Sequence, residues 1–202
     1  LAAELDDLDA SVRRHDPDRW LASRFIGDAQ ARADVIALYA FNYEIARVAG
    51  AVSNALMGEI RLTWWAEALD EIYEGRAVRK HPVTLALAGA VSRHALPRPL
   101  FDAMIEARYP ELDGMPVDPA ASEGSLMALA ASVLGGGDPA AVEAAALVYA
   151  GQASRQEANR RLAGFPVTAF PAIAYATLAS RQQASTLERR LRLTWAVLRG
   201  RL

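Results

Sequence analysis

The sequence predicts an all-α protein in a single domain, residues 1–202, of at least eight helices. Three observations carry this. Alanine supplies 43 of the 202 residues, and alanine loses no side-chain entropy in a helix. Apolar residues recur at helical spacing along nearly the whole chain, and no alternating stretch reads as a strand. Proline and glycine fall between the periodic segments, at Gly75, Pro82, Pro97, Pro110, Pro116, Gly135 to Gly137, Pro166 and Pro171.

Taken in order, Asp16-Pro17 is an N-cap followed by proline at the first helical position, and it starts a helix through Trp20. Gly27-Asp28 opens a long helix to about Ala49, closed by Gly50. Ser53 caps the next, which runs to Tyr73 and stops near Gly75. Further helices are predicted at Pro82–Ala95, Pro99–Ala107, Ala120–Leu134, Pro139–Leu162, Ala172–Gln182 and Leu187–Leu198. Residues 109–119, with three prolines, and 151–166, polar and arginine-rich, are less regular. Room for omitted loops lies near 113–119 and 153–154.

Composition excludes several classes. Hydrophobic residues make up 52%, too many for a disordered chain, and a domain of this size buries about 70% of its unfolded surface. With no cysteine, there is no disulfide scaffold, thiolate metal site or cysteine nucleophile. A net charge of −2 gives no basic field, so nucleic acid is not an expected partner. His15, His81 and His94 lack metal-ligand spacing. The acidic first nine residues predict no secretory signal. The apolar run 35–52 carries Asn42, Glu44 and Arg47, which argues against a membrane span. The expected location is cytoplasmic, at most peripheral to a membrane.

The predicted 28–49 helix is apolar almost all round, as in a central buried helix. Glu44 and Arg47, three apart, can pair on one face as a structural ion pair. In the next helix Glu67, Asp70, Glu71 and Glu74 share a face, which reads as a solvated acidic face or a Mg²⁺ site. Gly135-Gly-Gly137 lacks the lysine and the preceding strand of a phosphate loop and reads as a helix stop. Ser122-Glu-Gly-Ser125 opens a helix with no histidine near it in sequence, a weak nucleophile pattern. The last helix carries an apolar stripe, Leu187, Leu191, Trp195, Leu198 and Leu202, beside Arg189, Arg190, Arg192, Arg199 and Arg201. It suits docking on the core or on an anionic membrane, with Arg189, Arg190, Arg192, Trp195 and Arg199 as the surface residues.

Several segments together resemble the squalene/phytoene synthase family: Asp18-Arg-Trp-Leu-Ala-Ser-Arg-Phe25, Ala37-Leu-Tyr-Ala-Phe41, Arg61-Leu-Thr-Trp-Trp-Ala-Glu-Ala-Leu-Asp-Glu-Ile-Tyr-Glu-Gly75, His81-Pro82 and Glu123-Gly-Ser-Leu-Met-Ala-Leu-Ala130. The resemblance implies an isoprenoid synthase-type helical bundle around an apolar cavity. It also implies head-to-head condensation of two prenyl diphosphates on Mg²⁺ held by two Asp-rich motifs. The chain departs from that pattern where it matters. Ala46, Arg47 and Gly50 stand at the positions of the first motif, no two aspartates are four apart, and the last aspartate is Asp138. No catalytic residue and no metal ligand is therefore assigned, and no cofactor is expected; Mg²⁺ is implied only if condensation persists. The Phe41-Asn-Tyr-Glu-Ile-Ala-Arg-Val48 run is similar to the branch of mitochondrial complex I assembly factors and their bacterial relatives. The family carries roughly one to two dozen more residues after Ala153, a length usual for an inserted loop.

Three functions follow from this reading: a non-catalytic isoprenoid-binding or assembly-type protein, an active prenyltransferase with an unconventional metal site, or a scaffold for protein contact. The first predicts a retained apolar cavity bordered by Tyr39, Asn42, Tyr43, Glu44, Gly124 and Met127, open to an isoprenoid or other apolar ligand. A protein partner and an anionic membrane surface complete the expected partners.

Overall fold

The structure is a computed structural model. It describes residues 2–179 and 185–202, with side chains described for all of these except 2–6 and 119–120. Its helices are α1 (Ala2–His15), α2 (Pro17–Ser23), α3 (Ala29–Ala46), α4 (Ala55–Tyr73), α5 (Pro82–His94), α6 (Arg98–Glu106), α7 (Tyr109–Leu112), α8 (Pro119–Val133), α9 (Pro139–Tyr149), α10 (Arg155–Arg161) and α11 (Thr186–Arg199). Three 3-10 turns, Ala49–Ala51, Phe170–Ala172 and Ala174–Leu178, join them. No strand occurs among the described residues.

The central helix is α3, packed by α1, α2, α5 and α8. Its apolar circumference decides this: Val35, Leu38, Tyr39, Phe41 and Ile45 have no exposed surface, and a helix apolar all round is stable only when surrounded. Asp28 caps it, accepting the Ala31 N–H at 2.7 Å. Phe41 fixes the neighbours through edge-to-face contacts with Trp65 of α4 at 5.5 Å and Phe101 of α6 at 5.6 Å. The expected end of this helix, near Ala49, moves back to Ala46, and a 3-10 turn covers 49–51. The next cap is Asn54 rather than Ser53; its Oδ1 accepts the Met57 N–H at 3.0 Å.

Two expected elements change more. The predicted single helix 139–162 is broken into α9 and α10. Gly151 adopts a left-handed φ of +72°, which glycine enters at no steric cost. The Gln152 and Ala153 N–H groups then donate back to Leu147, at 2.8 and 3.2 Å. Ser154 restarts the helix by capping Glu157 at 3.2 Å. The predicted Ala172–Gln182 helix is instead a pair of 3-10 turns, held by i→i+3 bonds such as Ala176 N–H to Ile173 at 3.0 Å. Pro171 brings no N–H to a longer ladder; residues 180–182 of that expectation lie outside the described residues. Within the irregular 109–119 stretch, the short α7 forms. Its Leu112 side chain fills the space above Gly58, where a Cβ would sit 2.3 Å from it, so that glycine admits α7 against α4.

Candidate functional site

Three regions hold the chemistry-bearing side chains. The first is the C-terminal end of α3. Ala46 is half-buried and Gly50 is exposed in the 3-10 turn. Arg47 is committed to Glu44, with Nη2 at 2.8 Å and Nε donating at 3.0 Å, and its guanidinium lies 5.7 Å over Tyr43. Tyr43 in turn stacks on His15 at 4.3 Å. A divalent cation needs several oxygen donors at one point. These three positions offer a methyl group, a bound cation and a bare glycine, so they do not fit a Mg²⁺–diphosphate cradle.

The acidic face of α4 is satisfied by arginine. Glu71 accepts from the Arg79 backbone N–H at 2.9 Å and from its Nη2 at 2.7 Å; these bonds hold its carboxyl below the usual range. Glu67 lies 3.3 Å from Arg79, Asp70 lies 2.9 Å from Arg98, and Glu74 lies 2.6 Å from Arg76. Arg79 also stacks over Trp64 at 4.7 Å. Among the described residues no three His, Asp or Glu side chains converge as a metal site would require.

The second region is a buried polar cluster that joins α2, α3 and α8. The Arg19 guanidinium is ion-paired with both Asp16 and Glu123 and lies over Tyr175 at 4.7 Å and Tyr149 at 5.2 Å. Burial alone would lower its pKa; the Glu123 charge and its neighbours more than reverse this and raise it. Tyr175 donates its hydroxyl to Glu123 Oε2 at 3.2 Å, and burial pushes it and Tyr39 well above the usual phenol value. Tyr39 meets Tyr175 edge to face at 6.2 Å, and its buried hydroxyl has no hydrogen-bond partner among the described residues. Beside it, Arg108 Nη2 donates to Asn42 at 3.3 Å and Ser122 at 2.9 Å.

Of the residues expected to line a cavity, Tyr39 and Met127 are fully buried, while Tyr43, Glu44 and Gly124 keep accessible surface. Asn42 is taken up by Arg108. Gly124 lies where α8 meets α9, with Ala146 an ordinary contact of 3.8 Å from its Cβ position. Ser122 is held by a cation, not by a base. Arg19 and Tyr175 were missed by sequence reasoning; the signal available was a buried carboxylate, Glu123, in need of a cation.

The third region is the surface. A cavity of about 270 Å³ opens between the end of α3, α4 and His81, lined by Glu44, Arg47, Val48, Arg61, Trp64, Trp65 and His81. On α11, Leu193 and Ala196 pack inward, while Leu187, Leu191, Trp195 and Leu198 are 56–75% exposed. Arg199 stacks on Trp195 at 3.9 Å. Arg190 is exposed beside a groove it shares with Trp20, Phe25 and Leu193. Arg192 pairs with Glu188 at 3.0 Å. Arg189 turns inward instead, 2.9 Å from Asp18. Among the described residues no helix is long and apolar enough to cross a membrane.

With this geometry in place, comparison with known proteins is informative. Residues 12–153 match the family described as squalene/phytoene synthase. The bovine and human proteins named "NADH dehydrogenase (ubiquinone) complex I, assembly factor 6" are each 32% identical over 102 residues, which is 50% of this chain and 30% of each relative. A Dictyostelium discoideum homolog of the same factor is 27% identical over 97 residues, 48% of this chain and 27% of that protein. The matched stretch thus spans 27–30% of these relatives' length.

Proposed function

The chain belongs to the squalene/phytoene synthase family, and from that premise we propose a non-catalytic member that serves assembly of a respiratory complex, as the names of its relatives suggest. The observation that carries this reading is the end of α3: Ala46, Arg47 and Gly50 stand where the resemblance implies aspartates, and Arg47 is locked to Glu44 at 2.8 Å. Stabilising a departing diphosphate takes metal-bound or donor-rich charge at the point where negative charge develops, and nothing at these three positions supplies the metal. The fold is kept while the chemistry is given up, which suits a protein that acts by holding surfaces together.

Membrane attachment is the second part of the proposal. The outward face of α11 supports peripheral binding to an anionic bilayer, with Arg190 and Arg199 at its edges. An isoprenoid or other apolar ligand in the interior is the third, and a thermal-shift screen with prenyl alcohols tests it separately.

Disrupting the gene in the source organism should lower assembled complex I on native gels, and the wild-type gene should restore it. Purified protein with farnesyl diphosphate and Mg²⁺ should release no diphosphate above background. Normal complex I after disruption would sink the assembly reading. Diphosphate release would sink the non-catalytic one.

A further inference from the structure

We infer that the surface cavity between the end of α3, α4 and His81 is a binding site for a small phosphorylated molecule, its phosphate held by Arg61, Arg47 and His81. Of the three first-motif positions only Arg47 lines this cavity; Ala46 and Gly50 do not, and at 100° per residue Glu44 lies about 200° around α3 from Ala46.

Three features favour an oxyanion. Arg61 is exposed, and its only hydrogen bond among the described residues is a long one, 3.5 Å, to the Ala51 carbonyl. It has no carboxylate partner there, whereas the neighbouring Arg79 and Arg98 each hold two. His81 Nδ1 accepts the Val83 N–H at 3.3 Å, so the neutral ring carries its proton on Nε2, a donor. Arg47 uses only Nε and Nη2 on Glu44, which leaves the rest of its fork for a ligand. Two guanidinium forks and an imidazole N–H outnumber the single carboxylate in the lining. That donor set suits the several oxygens of a phosphate better than the two of a carboxylate. Trp64 and Trp65 form an apolar wall for the organic part, and the volume of about 270 Å³ admits only a small one.

His81 supplies the readout. Burial holds its imidazole below the ordinary value, with Arg47 acting the same way and Glu44 opposing. An anion seated beside it favours the charged ring. NMR titration of the three histidines, at constant ionic strength, should show inorganic phosphate and glycerol 3-phosphate raising the His81 pKa at millimolar concentration. His15 and His94 should stay put, and acetate should have no effect. Arg61→Gln, a surface change that leaves the fold intact by circular dichroism, should abolish the response. An unmoved His81, an equal response to acetate, or a full response in Arg61→Gln would each overturn the site.

Discussion

Asp34 shows how a single side chain ties the central helix to its neighbour. It is buried on α3 and accepts from Arg93 Nε at 3.0 Å, with His94 Nε2 at 2.9 Å and Gln30 Nε2 at 3.1 Å. Burial alone would push its carboxyl up; the bonds from Arg93, His94 and Gln30 more than reverse this and leave it below the usual value. A depressed folded pKa contributes stability that is present above the unfolded value, about 3.9, and is lost as pH falls through the folded one. Asp34→Asn should therefore lower stability at neutral pH by about 1–3 kcal/mol and flatten the loss below about pH 4. The cost stays below the roughly 3–5 kcal/mol of a fully buried broken pair because Arg93 is half-exposed and regains water. Urea unfolding of both proteins between neutral and acid pH checks this; parallel acid limbs would refute the assignment. The sequence could mark Asp34 only as a polar residue in an apolar run. Its partners on α5 lie 59 and 60 residues away, and helical periodicity carries no information about which helix a face will meet. The same blindness hid Arg19, whose partner Glu123 is 104 residues distant. The Glu44–Arg47 pair was legible because both ends lie on one turn.

Local signals, by contrast, served well for whole helices. Asp28 and the Asp16-Pro17 pair cap where they were expected to, since a cap depends on three or four adjacent residues. The failures came where glycine and proline rules compete with apolar periodicity, at Gly151 and at Pro171. On α11 the stripe was legible, and the side it would face was not: a helix end can present either of two apolar faces, and only packing chooses. The structure gives Leu193 and Ala196 to the core and leaves Leu187, Leu191, Trp195 and Leu198 outside. These four lie within an arc of about 80° at 100° per residue, with Arg190 and Arg199 beyond its edges. Such a helix should bind vesicles containing anionic lipid, and each basic residue near that surface contributes about 1 kcal/mol. Co-sedimentation should fall as salt rises, and Leu191→Asp with Trp195→Ser should abolish it without unfolding the domain. Binding indifferent to salt and lipid charge would remove the anionic surface from the account.

For the molecule as a whole, backbone as well as side chains sets residues 46–50 apart from a metal cradle. In a continuous helix, positions 46 and 50 would lie one above the other and could share a cation. Here α3 stops at Ala46 and a 3-10 turn takes residues 49–51, with about 3.0 residues per turn and a rise near 2.0 Å. Position 50 is therefore rotated out of register with position 46. The open cavity beside Arg61 lies at this same end of α3. Restoring the side chains alone should then fail. Ala46→Asp with Gly50→Asp is sterically mild at position 50, where nothing lies within 4 Å of a Cβ and the backbone is not left-handed. Cation binding at a hundred times its Kd would stabilise the fold by about 2.7 kcal/mol, easily seen as a rise in Tm. We expect no Mg²⁺-dependent rise in Tm and no diphosphate release from farnesyl diphosphate in this variant. A clear Mg²⁺-dependent rise would mean that α3 extends on demand through residue 50, and that the missing carboxylates alone separate this chain from a metal-binding relative.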